Sequence, residues 1–82
     1  MEKYFGENLK NLRLEHGLTQ PKLAQIVGTS QQAISYFESA TKVPNVDTAG
    51  RIAEVLDTTI DALMNTPPDV LLAEQVERRR GT

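Results

Sequence analysis

The chain contains no cysteine, no tryptophan and a single histidine among its 82 residues. Without cysteine it has no disulfide framework, no redox pair and no thiolate zinc site, and His16 alone cannot build a histidine metal cluster. No apolar run approaches the ~20 residues that a membrane helix needs, and the first residues lack the basic flank and apolar stretch of a secretory signal. We therefore expect a soluble, cytoplasmic protein without a cofactor or a metal.

Enzymatic activity is also disfavoured by the sequence. A chain of 82 residues fits one domain, because one hydrophobic core usually serves roughly 50 to 200 residues. The sequence has no glycine-rich phosphate loop, no nucleophile beside a base and no paired-carboxylate cleft on a large enough scaffold. We expect the protein to act by binding and not by catalysis.

Charge is distributed unevenly along the chain, whose net charge is −2. Residues 1–45 carry five basic and four acidic residues, residues 46–77 carry one basic and seven acidic residues, and residues 78–80 are three arginines. A polyanion would therefore meet the amino-terminal half, although the overall charge argues against a nucleic-acid partner. The acidic segment from Asp47 to Glu77 would suit a protein partner.

Apolar residues recur at spacings of three and four between glycines and prolines, which predicts an all-helical fold. The first helix is expected from Tyr4 or Gly6 to His16, with Gly17 closing it in a left-handed conformation and His16 solvated at its end. A fourth helix follows Asn45, and a short fifth helix follows Thr58 or Thr59. Residues 66–82 are expected to form a linker and a short helix or tail.

Two short helices lie in the middle of the chain. Thr19 is expected to cap the second helix and Ser30 the third, because their hydroxyl oxygens accept unpaired amides at a helix start. Gly28 opens the turn between them, and the third helix runs from Gln31 to about Ser39. Two helices joined by a turn of about three residues with a glycine form the helix-turn-helix pattern.

The third helix has two chemically different faces when its residues are placed about 100° apart. The side expected to face the core carries Ala33, Ile34, Phe37 and Glu38. The opposite side carries Gln31, Gln32, Ser35, Tyr36 and Ser39, none of them charged. Lysine and glutamate normally dominate a merely solvated face, whereas amides and hydroxyls match base edges in the major groove. We interpret this face as reading DNA; the alternative is a solvated face of a generic helical bundle.

The stretch from Gln20 to Ser39 resembles the helix-turn-helix of lambdoid phage repressor and Cro proteins and of their bacterial relatives, the Cro/C1 or XRE-like regulators. The motif positions that match are Gln20, Ala24, Gly28, Ile34 and Glu38. The flanking stretches that match are Leu18-Thr19-Gln20, Pro44-Asn45-Val46 and Ala53-Glu54-Val55-Leu56. The resemblance implies a compact bundle of five helices of the lambda repressor-like DNA-binding type within residues 1–65, with a possible sixth helix after it.

The resemblance also implies roles for individual residues. DNA base contacts are expected from Gln31, Gln32, Ser35 and Tyr36. DNA backbone contacts are expected from Thr19, Gln20, Lys22, Ser39 and Lys42. A structural ion pair between Arg13 and Glu38 is expected to tie the first helix to the third.

Three features depart from the family pattern. Ser39-Ala40 replaces the frequent Asn-Gly after the recognition helix, which weakens the helix cap. Lys22 replaces a glutamate, which removes a capping box but adds a cation on the DNA side. Gly50 lies inside the fourth helix at a cost of about 0.5 to 1 kcal/mol unless it permits a close contact.

The function predicted from the sequence is specific binding of double-stranded DNA by a transcriptional repressor. Helix-turn-helix dimers read two half-sites about one helical turn apart, so we expect a homodimer on a pseudo-palindromic operator, without a small-molecule ligand. Its interface is expected at Ile60, Leu63 and Met64, and residues 70–76 either extend it or fold back on their own core. The alternative function is a helical protein-interaction module, an antitoxin or regulatory partner, that does not read DNA.

Overall fold

A computed structural model of the chain describes residues 3–81. Within that range the elements are α1 (Phe5–Glu15), α2 (Gln20–Val27), α3 (Gln31–Glu38), α4 (Val46–Val55), α5 (Ile60–Asn65) and α6 (Pro68–Arg80). These residues contain no β-strand. The all-helical prediction is confirmed, and the possible sixth helix is formed. No helix in the described range is both long and apolar enough to cross a membrane.

The helices from α2 to α5 each begin at a side chain that accepts a hydrogen bond from a first-turn amide. Thr19, Ser30, Asn45 and Thr59 accept these bonds at distances between 2.8 and 3.2 Å. Such a bond satisfies one of the amides that a helix start leaves unpaired. The predicted caps therefore set the helix starts, with Thr59 and not Thr58 before α5.

Left-handed residues follow the first three helices. Gly17 has φ +70° after α1 and Gly28 has φ +80° after α2, as the sequence predicts. Ala40 adopts φ +63° after α3, where the family pattern has glycine. The amide of Thr41 still donates to the carbonyl of Tyr36 at 2.9 Å, so the helix end is closed although alanine occupies a strained position.

The core is formed by apolar side chains contributed by every helix. The side chains with no exposed surface include Leu9, Leu12, Leu23, Ile34, Ile52, Leu56 and Leu63. Ile34 and Phe37 of α3 lie in this core together with residues of α1 and α2. Because each fully buried side chain of this kind contributes about 1.5 to 3 kcal/mol, α3 is held firmly by its apolar side.

α6 folds back on the domain and runs alongside α1. Leu71 is 3% exposed and Gln75 is 1% exposed. The amide nitrogen of Gln75 donates to the carbonyls of Leu56 and Asp57 at 3.0 and 2.8 Å. From the sequence, residues 70–76 are expected either to extend a dimer interface or to fold back on their own core. In this structure α6 folds back and covers the core of its own chain.

His16 ends α1 as predicted, but it is only partly exposed, because α6 covers one side of it. Nε2 of His16 lies 3.1 Å from Oε1 of Gln75. Nη1 of Arg79 lies 3.0 Å from Nδ1 of the same ring. His16 is therefore a contact between α1 and α6.

Candidate nucleic-acid interface

The exposed side of α3 carries the residues expected to contact bases. Gln31, Gln32 and Ser35 are exposed and Tyr36 is partly buried. On the other side, Ile34 is fully buried and Phe37 is 7% exposed. The helix wheel therefore predicts the division of faces correctly, and the polar groups of α3 are accessible to a ligand.

Tyr36 organises the polar face of α3. Gln32 donates from Nε2 to the hydroxyl oxygen of Tyr36 at 2.8 Å. The ammonium group of Lys42 lies 5.1 Å from the centre of the Tyr36 ring, close enough for a cation–π interaction. The tyrosine hydroxyl retains its own proton to donate, and the Gln32 amide retains its oxygen and a second N–H. The face is therefore partly ordered while keeping both donors and acceptors.

The segment that follows α3 presents hydroxyls and a cation next to this face. Ser39 donates from Oγ to the carbonyl of Tyr36 at 3.2 Å and lies 2.8 Å from Oγ1 of Thr41. Ser39 and Lys42 are both exposed. These groups suit a phosphate, which accepts hydrogen bonds and attracts a cation.

The start of α2 provides a second group of polar residues. Thr19 and Lys22 are exposed, and Gln20 is partly buried. Gln20 donates from Nε2 to Oε1 of Glu38 at 3.0 Å, which joins α2 to the end of α3. The amino end of a helix carries a partial positive charge and favours an anion.

Arg13 and Glu38 form the predicted ion pair. Nε and Nη2 of Arg13 lie 2.5 and 3.2 Å from the two carboxylate oxygens of Glu38. The two side chains are 8% and 6% exposed. Nη1 of Arg13 also donates to the carbonyl of Leu18 at 2.7 Å. With the bond from Gln20, this pair fixes α1, the start of α2 and α3 relative to one another.

The residues expected at a dimer interface differ in accessibility. Leu63 has no exposed surface and belongs to the core of its own chain. Ile60 and Met64 are partly buried hydrophobic residues packed at the edge of that core. In this conformation, a contact with a second copy would use Ile60 and Met64, while Leu63 supports them from inside.

Two side chains that hold the helices together were not singled out from the sequence. Nδ2 of Asn8 donates to the carbonyls of Leu63 and Thr66, both at 2.9 Å. Nη1 of Arg51 donates to the carbonyl of Val27 at 3.1 Å, which fixes the end of α2 against α4. An arginine in the last turn of a helix often caps the carbonyls of that same helix. Arg51 instead lies in α4 and caps a carbonyl of α2, so the local sequence does not reveal the contact. Across residues 3–81, no three potential metal ligands of the His, Cys, Asp or Glu type come together.

A helix-turn-helix family model matches residues 9–63, which include α2 and α3. The chain belongs to this family, among the XRE-like Cro/C1 regulators. Its fold is that of a lambda repressor-like domain. The DNA-binding domain of the P22 C2 repressor superposes with a TM-score of 0.73 at 26% identity, over 80% of this chain and 87% of that one.

Curated relatives include a transcriptional activator and an antitoxin. The transcriptional activator BcrR of Enterococcus faecalis is 36% identical over 74 residues, 90% of this chain and 36% of that protein. The antitoxin PezA of Streptococcus pneumoniae is 30% identical over 84 residues, 93% of this chain and 53% of that protein. This chain therefore spans about a third of the first relative and half of the second.

The same fold also occurs within a longer enzyme chain. In a crystal structure of iron(II) HppE with its substrate, a region 30% identical to this chain superposes with a TM-score of 0.67. The match covers 83% of this chain but only 38% of that one. The family model and the named relatives connect this chain to helix-turn-helix proteins, several of which are named as transcriptional regulators.

Proposed function

We propose that this protein reads double-stranded DNA through the exposed side of α3, as a homodimeric transcriptional repressor. The observation that carries the proposal is the uncharged face of amides, hydroxyls and a phenol on a helix whose other face is buried. An α-helix fits the major groove, and side chains of this kind pair with base edges there. A rigid helix is needed because base recognition depends on small differences in position.

Base contacts are proposed for Gln31, Gln32, Ser35 and Tyr36. The two glutamines occupy the first turn of α3, and each amide is able to pair bidentately with adenine. Ser35 pairs with either kind of base pair, and the Tyr36 ring packs on a thymine methyl or reaches a phosphate.

Backbone contacts are proposed on both sides of the recognition helix. The residues concerned are Thr19, Gln20, Lys22, Ser39 and Lys42. Thr19 and Gln20 lie at the positive end of α2, and Lys42 is held next to the base-reading face by its contact with Tyr36. Such contacts fix the register of the protein on the duplex and add no sequence information themselves.

The short length of α3 is the reason for proposing a two-fold symmetric homodimer. The helix has eight residues, and one copy therefore reaches few base pairs. A homodimer that uses Ile60 and Met64 doubles these contacts on a pseudo-palindromic operator. Repression follows if the operator overlaps a promoter, and a reporter gene driven by that promoter is expected to lose transcription when the protein is expressed.

The experiment that tests specific recognition is selection of bound oligonucleotides from a random pool. We expect a consensus with two-fold symmetry, and recovery of unrelated sequences would contradict the proposal. Replacing Gln31 and Gln32 by alanine should then weaken binding to the selected site by about 1 to 3 kcal/mol per lost contact. Gln25→Ala is the matched control, because Gln25 is an exposed glutamine of α2 outside the base-reading face; it should bind like the unaltered protein.

A second candidate function is supported by the similarity to PezA, which is named as an antitoxin. In this alternative the acidic segment from Asp47 to Glu77 docks a partner protein, and α3 serves only the fold. The pair of glutamine substitutions separates the two candidates. It should abolish DNA specificity in the first and leave protein docking intact in the second.

A further inference from the structure

The carboxyl end of α6 lies beside the end of α1. Asn8, in the first half of α1, donates to the carbonyl of Thr66 just before α6. His16, directly after α1, contacts Gln75 in the second half of α6. The two helices therefore run in the same direction, which brings the carboxyl end of α6 beside the end of α1 and places Arg79 next to His16.

This turn leads directly into a proposed backbone-contact site. Arg79 contacts His16 through Nη1, and His16 precedes the α2 cap, Thr19, by three residues. The turn is kept short by a hydrogen bond of 3.0 Å from the amide of Leu18 to the carbonyl of Arg13. Arg79 is thus held at the turn that leads into the amino end of α2, where a DNA phosphate is expected.

The three arginines are not equally engaged by carboxylates. Arg78 pairs with Asp57 at 3.2 Å, at the end of α4. Arg79 lies 3.7 Å from a carboxylate oxygen of Glu15, and its side chain is 40% exposed. Arg80 is exposed and forms no ion pair with a carboxylate within residues 3–81. Because exposed ion pairs contribute only about 0 to 1 kcal/mol, Arg79 is able to exchange Glu15 for a phosphate.

We propose that Arg79 and Arg80 contact DNA phosphates next to those held by the start of α2. This proposal rests on the proposed function. The three arginines are distant in sequence from residues 1–45, which carry more basic than acidic residues. The fold brings the two basic regions together. α6 thus adds cations to a DNA-binding surface that is otherwise poor in them.

The salt dependence of binding tests the proposal. The affinities of the full chain and of the Arg79→Gln/Arg80→Gln variant are measured at several salt concentrations, on a selected duplex and on an unrelated duplex of equal length. Each lost phosphate contact lowers the slope of log affinity against log salt by about 0.9 on B-DNA. We expect a decrease of about two per subunit on both duplexes. The Arg79→Lys/Arg80→Lys variant should keep the slope, because it keeps the charge.

Arg78→Gln is the control, since Arg78 lies on the same helix end but its side chain reaches Asp57 at the end of α4 and not the turn between α1 and α2. It should leave the slope unchanged. One outcome overturns the proposal while the proposed function stands. In that outcome the full chain binds duplex DNA, but the Arg79→Gln/Arg80→Gln variant shows the same slope of log affinity against log salt and an unchanged melting temperature. If Arg78→Gln lowered the slope by the same amount per removed charge, the proposal would also be overturned, because the effect would then come from the overall charge of the protein and not from local phosphate contacts. If the full chain binds neither duplex, the proposed function itself fails.

Discussion

Gly6 is a residue whose lack of a side chain lets two helices approach closely. A Cβ atom at this position would lie 2.6 Å from the carbonyl oxygen of Glu38 and 2.8 Å from that of Phe37. These distances are too short for a carbon atom, and the carbonyl oxygens belong to the backbone at the end of α3. The added methyl group would therefore displace this backbone, and Gly6→Ala is expected to lower the free energy of unfolding by about 1 to 3 kcal/mol. Urea denaturation measures this change, and an unaltered midpoint would show that α3 accommodates the methyl group.

Gly50 is helical as well but lies in open surroundings. A Cβ atom there meets no other atom within 4 Å, so the close contact that would justify a glycine inside α4 is absent. Gly50→Ala should raise the free energy of unfolding by about 0.5 to 1 kcal/mol, because alanine loses less backbone entropy on folding. The same urea series measures this free energy. A destabilised variant would contradict the conclusion that the surroundings of Gly50 have room for a methyl group.

Ala40 combines an ordinary side chain with a left-handed backbone. A non-glycine residue costs roughly 1 to 2 kcal/mol in this conformation; glycine removes this cost, but part of the gain is offset because glycine loses more backbone entropy on folding. With φ at +63°, Ala40→Gly should stabilise the protein by about 0.5 to 1 kcal/mol, seen as a higher melting temperature. Ala73→Gly is the control, since Ala73 is an exposed residue inside α6 and the same exchange should destabilise there.

At the scale of the elements, the pair of Arg13 and Glu38 joins three helices around one buried charge cluster. Arg13→Ala should cost about 3 to 5 kcal/mol, because it leaves the Glu38 carboxylate buried without its cation. Arg13→Met combined with Glu38→Leu removes both charges and should be closer in stability to the unaltered protein. A double-mutant cycle by thermal denaturation measures the coupling. If the double variant were as unstable as the sum of the single ones, the two groups would act independently.

The helices that the sequence predicts well are those whose signals are local. Thr19, Ser30 and Asn45 act within three residues of themselves, and the faces of α3 follow from its own periodicity. Asn8 and Gln75 bond to carbonyls 55 and 19 residues away, so no local pattern reveals them. The position of α6 depends on such bonds. Leu71 is its only buried apolar residue, and its apolar side chains are not confined to one face.

The candidate site is predictable to a similar extent. Exposure of Gln31, Gln32 and Ser35 follows from the helix wheel, and the ion pair follows from the family resemblance. The contacts of Tyr36 with Gln32 and Lys42 depend on side-chain conformations and on the path of the segment after α3. The contact of Arg79 with His16 depends on the direction in which α6 packs, which the sequence leaves open.

At the scale of the whole molecule, dimerisation is expected to depend on partly exposed residues next to the core. Met64→Glu should yield a monomer by light scattering while keeping its helical circular dichroism, because Met64 is not fully enclosed. Leu63→Ala serves as the contrast. It opens a cavity in the core and should lose about 2 to 5 kcal/mol of stability. A Met64→Glu variant that remained dimeric would place the interface elsewhere.

If α3 reads DNA as proposed, the hydrogen bond between Gln32 and the Tyr36 hydroxyl affects how the bases of an operator are recognised. A glutamine tethered to its neighbour has fewer orientations in which to meet a base, so the preferences at adjacent operator positions depend on each other. A scoring matrix that adds independent contributions for each base would then misjudge sites with changes at both positions. On the proposed function, a change of target sequence is expected to involve both side chains, because a substitution of either one removes the hydrogen bond that orients the other.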